Sequence, residues 1–201
     1  MSDRIDPRLP LTAALDQAGA LITTTAPEDA SRPTPCDEFD VGALIGHLVA
    51  IPTRIAVIAR GEDAWAVPST LELEPEAWTA RWAEARAAVD AALAPDEVLQ
   101  REFRAPFGTV PAPIALGMYV TEFLIHAWDL ARATGRDDQI DRALADRIAT
   151  TALPQIRQAI PAEGRDEIPF GPVVEVDDSA SPFDQLLGWY GRDPRPVHAQ
   201  A

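Results

Sequence analysis

Two imidazoles and two carboxylates sit in this sequence where apolar residues would otherwise be expected. Glu122 and His126 lie within GMYVTEFLIHAWDLAR, residues 117–132. They are four apart, so on a helix they stand one turn above the other on one face. Asp129, seven residues after Glu122, falls within about 20° of it around the axis. The surrounding Met118, Tyr119, Val120, Phe123, Leu124, Ile125, Trp128 and Leu130 cover the wheel almost all round. Such a helix belongs inside a protein. A carboxylate there is costly unless it is paired, hydrogen-bonded or bound to a metal. His47, in GALIGHLVAI, is the other histidine set among apolar neighbours.

A bundle that brings these two helices together would gather His47, Glu122 and His126 around a point. Two histidines and one carboxylate are the ligand set of a catalytic zinc site that keeps a position open. Nickel, iron or manganese suit the same donors. Asp129 is placed to accept the other ring N–H of His126 and fix its tautomer. The competing expectation is a hydrogen-bonded Glu–His couple without metal. Arg54 is seven residues after His47 and points the same way. It either holds an anionic substrate group or is a solvated surface arginine. Cys36 follows Pro35 in a loop with no histidine near it in sequence, which makes it a weak nucleophile candidate. His198, in the ragged C-terminal end, is incidental.

Composition limits the partners. All 17 basic residues are arginine and the net charge is −15. This argues against nucleic acid, which needs a basic face, and against an anionic membrane surface. Without lysine there is no Schiff base and no Walker-type lysine; GxSxG, GxGxxG and P-loop patterns are absent as well. The single cysteine excludes an internal disulfide and CxxC metal sites. No signal peptide is visible and no apolar run is expected to reach membrane-spanning length, so a cytoplasmic location is expected. A hydrophobic content of 47% is ample for a core.

The elements that must position these residues follow from periodicity. Leu11, Ala14, Leu15, Ala18, Leu21 and Ile22 predict a helix within 7–26. Asp40 is an N-cap for a second helix over 41–60, which Gly61 ends and in which Pro52 should kink the chain or shift its packing. The stretch 61–75 reads as acidic and irregular. A third helix covers 76–93, with Trp78, Trp82, Ala85 and Val89 on one face. Residues 99–111 suggest an extended hairpin arm. The central helix covers 112–134, and a further one, broken at Pro154, covers 141–160. In the tail, PFGPVVEV (169–176) suggests a short strand, and Ser181-Pro182-Phe183-Asp184 a helix start. The expected fold is mainly α: a four-helix bundle with a crossover over 1–160, and a small strand and helix extension over 161–201. Apolar helix faces permit a homodimer.

At these residues the chain resembles a known family. Thr34-Pro35-Cys36 through Val41, Leu44 and His47, then EFLIHAWDL at 122–130, then Phe170-Gly171-Pro172 and Gly191-Arg192-Asp193-Pro194, are similar to the metal-binding domain of mycothiol-dependent maleylpyruvate isomerase. That domain belongs to the DinB-like superfamily. Phe39 stands where the family often has tryptophan. The resemblance implies a DinB-like bundle and a divalent metal, usually zinc, on His47, Glu122 and His126. It also implies a low-molecular-weight thiol such as mycothiol as cofactor. The full isomerase carries a second domain that helps form its active site; about 40 residues follow the helical body here, as in a short-tailed subgroup of relatives. The function expected is a metal-dependent thiol transferase or isomerase acting on a small electrophile. The alternatives are a non-catalytic metal-binding or stress-related module and a metal-free helical interaction protein.

Overall fold

The computed structural model describes residues 6–165 and 171–195. They divide into two compact units, Met1–Ile140 and Asp141–Ala201.

The first unit is built on four helices: α1 (Arg8–Thr23), α2 (Val41–Arg60), α3 (Trp78–Leu93) and α4 (Ala112–Ala133). α1 packs on α3 and α4, and α2 packs on the same two. The four form a ring in which α1 and α2 stand on a diagonal, and this is why their connection is long. A two-stranded antiparallel hairpin, β1 (Glu102–Ala105) and β2 (Gly108–Pro111), leads into α4 and matches the extended arm expected there. The architecture is mainly α, as the periodicity implied.

Local chemistry sets the ends of the helices that carry the site. Asp40 accepts the Ala43 N–H at 2.8 Å and starts α2. Gly61 ends it at φ 82°, a left-handed conformation that glycine adopts without strain. α2 runs unbroken through Pro52. Contrary to expectation, α2 is long and apolar enough to cross a membrane by length and composition, but 83% of that stretch is buried within the fold. Its apolarity is that of a core helix. Arg101 fixes the relative direction of α2 and α4. Its Nη1 donates to Ala59 O, near the end of α2, at 2.7 Å, and its carbonyl accepts from Ala112 N at the start of α4. The two helices are therefore antiparallel.

α4 is not buried all round. Ile114 and Met118, four apart, are 52% and 44% exposed. From Tyr119 onward the helix goes inside, and Asp129 is fully buried.

In the second unit, α5 (Arg142–Ala159) packs on α6 (Pro182–Trp189). The unit boundary thus precedes α5, where the sequence had suggested residue 160. Helix α5 is not broken at Pro154. That residue is exposed, so the carbonyl freed by the missing N–H, on exposed Thr150, can meet water. Ser181 Oγ accepts from Asp184 N at 3.2 Å and starts α6 as anticipated. Residues 171–176 are irregular rather than a strand. Val174 N donates to Gly188 O, but no neighbouring strand extends the pairing. The other residues of that expected strand, Pro169 and Phe170, and His198 lie outside the described residues.

Candidate metal centre

α2 and α4 bring His47, Glu122 and His126 together. One ligand atom from each lies within 4.8 Å of the other two. His47 Nε2 is 3.2 Å from Glu122 Oε1, and the His47 and His126 ring centroids are 4.9 Å apart.

The second nitrogen of each ring decides what the first can do. His47 Nδ1 lies 2.7 Å from Ser69 O. A carbonyl oxygen only accepts, so Nδ1 carries the proton. The Nε2 of a neutral His47 is then a bare lone pair facing a carboxylate oxygen. Two acceptors at 3.2 Å do not bond, and Nε2 is buried without an aligned hydrogen-bond partner despite the short distance. His126 Nδ1 lies 3.0 Å from Asp129 Oδ2, so the Asp129 carboxylate takes that proton and leaves a second Nε2 lone pair. Two imidazole lone pairs and a carboxylate meet with no donor between them. Such a set fits a divalent cation of borderline softness.

Burial alone would raise the Glu122 carboxyl; without an ion, a protonated His47 hydrogen-bonded to it, and then the positive charges of His47, His126 and Arg54, outweigh this and hold the group below the usual carboxylate range. A cation held by the three residues would take the place of that proton. Glu122 keeps 32% of its side-chain surface accessible within otherwise dense surroundings, and the centre is open to solvent on that side. Phe39 covers another side, stacked on His47 at 5.0 Å and edge-on to His126 at 6.1 Å.

The segment read as merely irregular is a strap along the site face of α2. Val67 and Leu71 pack against Ala50 and Val57. Leu71 N donates to Gly46 O at 3.3 Å. The intervening carbonyls turn inward: Val67 O and Pro68 O accept from Arg54 Nη2 at 3.2 and 2.8 Å, and Ser69 O holds His47. The strap lies this close because residue 46 is glycine; a Cβ there would overlap the Leu71 carbonyl oxygen. No sequence pattern announced these carbonyls. A glycine among bulky helix residues was the one available signal.

The other candidates are also placed. Arg54 is buried, 8% exposed, and is not a solvated surface arginine. Asp129 touches His126 as expected. Cys36, distant from any histidine in sequence, is brought by the fold within 4.8 Å of ligand atoms of His126 and Asp129, in a buried position. Tyr119, read only as an apolar residue of the helix, is buried one turn before Glu122 with its hydroxyl lacking a partner.

A family model described as the mycothiol maleylpyruvate isomerase N-terminal domain matches residues 11–131. The chain belongs to this family. The matched span includes His47, Arg54, Tyr119, Glu122, His126 and Asp129. A protein of Mycobacterium tuberculosis described as uncharacterised, found in two strains, is 28% identical over 192 residues, covering 95% of this chain and 100% of the relative. Crystal structures of mycothiol-dependent maleylpyruvate isomerase and of a histidine-to-alanine mutant of it align with a TM-score of 0.50. They are 20% and 19% identical, and the match covers 75% of this chain and 72% of theirs. These structures share the fold.

Proposed function

We propose that this protein is a divalent-metal-dependent enzyme that uses a low-molecular-weight thiol, mycothiol or a close analogue, to transfer to or isomerise a small electrophile. The observation that carries the proposal is the convergence of two imidazole lone pairs and a carboxylate, with both tautomers fixed from behind by Ser69 and Asp129. Membership of a family named for a mycothiol-dependent isomerase supports the thiol. His47, Glu122 and His126 would hold the ion, with zinc the best match to the donors. When bound, such an ion supplies the Lewis acidity that stabilises a thiolate near neutral pH.

The chain's own residues do the rest. Ser69 and Asp129 keep Nδ1 of each histidine protonated, so that Nε2 faces the centre. Phe39 shields the two rings from water. Glu122 leaves the approach open on its side. The nucleophilic sulfur comes with the cofactor, so the chain needs no cysteine of its own for the reaction. The purified protein is expected to hold about one divalent ion per chain by elemental analysis. His126→Ala should lose it while keeping its helical circular dichroism. Unchanged metal content in that variant would overturn the proposal.

A further inference from the structure

Cys36 has no part in the reaction proposed above, yet a closed loop holds its side chain at the back of the centre. The loop comprises residues 32–40 and is shut at its neck, where Pro33 and Asp40 form an antiparallel bridge and Val41 N donates to Arg32 O at 3.0 Å. Thr34 ties the interior: its hydroxyl donates to Phe39 O at 2.7 Å and accepts from Cys36 N at 3.1 Å. Phe39 N donates to Cys36 O at 3.0 Å. Cys36 and Phe39 are therefore fixed to each other through their main chains, and to the start of α2 through Asp40.

Both side chains bear on His126. Phe39 meets its ring edge-on at 6.1 Å. Cys36 is 6% exposed, and its Sγ lies within 4.8 Å of a ring nitrogen of His126 and of a carboxylate oxygen of Asp129. A side chain that only filled space here would leave a buried carboxylate no better solvated. A thiol brings an S–H, a weak donor to neutral groups but a stronger one toward an anion.

His126 decides which neighbour can accept from it. The Nδ1 of His126 donates to Asp129 Oδ2, so that nitrogen accepts nothing. The Asp129 carboxylate has about four lone-pair positions, and His126 takes one of them. Asp129 is fully buried, and a charge there is tolerated only as far as hydrogen bonds replace its water.

We propose that Cys36 is a positioning residue of the metal centre. Its thiol donates to the Asp129 carboxylate and so steadies the oxygen that keeps His126 turned with Nε2 toward His47 and Glu122. Cys36 touches neither the ion nor the thiol cofactor; it acts through Asp129 and then His126. This rests on the metal centre proposed above, and the test separates the two.

Three substitutions distinguish a donor from a filler. Serine keeps a donor and loses volume, valine keeps the volume and loses the donor, and alanine loses both. Zinc affinity is measured by chelator competition on metal-stripped protein, with circular dichroism to confirm the fold. Cys36→Val and Cys36→Ala should bind zinc about 5- to 10-fold more weakly, and Cys36→Ser should stay within about 2-fold of the unsubstituted protein. Long-range proton–nitrogen NMR spectra of the metal-stripped protein should show His126 as a single Nδ1–H tautomer in the unsubstituted protein and in Cys36→Ser, and as a mixture in Cys36→Val. Full affinity in Cys36→Val beside a weakened Cys36→Ser is the order expected of a space-filling side chain and would overturn the proposal. A sulfur-to-metal charge-transfer band in the cobalt-loaded protein would overturn it too, because Cys36 would then be a ligand. If Cys36→Val fails to fold, Cys36→Ala and Cys36→Ser supply the same comparison. A protein that holds no zinc, but in which the His126 tautomers mix once the donor is removed, would sink the proposed function and spare the role of Cys36. Zinc binding indifferent to all three substitutions would do the opposite.

Discussion

Replacing Asp129 with asparagine isolates the role of a charge that touches no ion directly. Asp129 is fully buried and its Oδ2 lies 3.0 Å from His126 Nδ1. Asparagine has nearly the same shape, and its Oδ1 can still accept the Nδ1–H, so the ring should keep its place. What disappears is the negative charge behind the imidazole. When Nε2 binds a cation, positive charge spreads over the ring. Taking about 0.4 of a unit charge at about 4 Å, with an effective dielectric of about 20, the carboxylate contributes ~1.7 kcal/mol, or roughly 20-fold in affinity. This lies within the 10–100-fold range typical of partners that orient metal-ligating histidines. The assay is zinc competition against a chromogenic chelator on metal-stripped protein, with circular dichroism to confirm the fold. Asp129→Asn should bind zinc roughly 20-fold more weakly with its helix content intact. An unchanged affinity in a folded variant would refute the view that Asp129 acts on the centre through His126.

Three other perturbations follow from the structure. Gly46→Ala would push a Cβ into the Leu71 backbone carbonyl, so the strap must lift and Ser69 must leave His47. Chemical denaturation should show a loss of about 1–3 kcal/mol, accompanied by weaker zinc binding. Gly117→Ala, where a Cβ meets nothing within 4 Å on exposed helix, should instead gain about 0.5–1 kcal/mol and leave zinc affinity alone. The chain has two tyrosines, and that of Tyr119 is pushed well above its ordinary range by burial first and by Glu122 second, against the opposing pull of Arg54. Above about pH 10 the unfolded chain releases this proton while the folded chain keeps it, so the unfolded state binds fewer protons and stability falls by about 1.4 kcal/mol per pH unit. Ultraviolet titration should show Tyr119 ionising only as the protein unfolds, and Tyr119→Phe should flatten the alkaline stability slope by one proton; a Tyr119 that titrates normally in the folded state would contradict its burial.

The sequence by itself determined the helices and the identity of the converging groups. Apolar spacing located α1, α2, α3 and α4 to within a few residues. Asp40 and Gly61 marked the ends of α2, because caps are local chemistry written in residue type. The four-residue step from Glu122 to His126 placed a carboxylate and an imidazole on one face, since helical periodicity alone dictates it. What the tertiary structure decided is everything carried by main-chain atoms or by packing across helices. The carbonyls of Val67, Pro68 and Ser69 have no signature in residue type, yet they fix a tautomer and bury a guanidinium. Cys36 reaches His126 and Asp129 only through the crossover between α1 and α2, and the grouping of α5 with α6 depends on contacts that no local pattern specifies. Tyr119 reads as one more apolar residue until the fold seals its hydroxyl from solvent; whether a polar atom finds a partner is a property of three-dimensional neighbours and not of the chain that connects them.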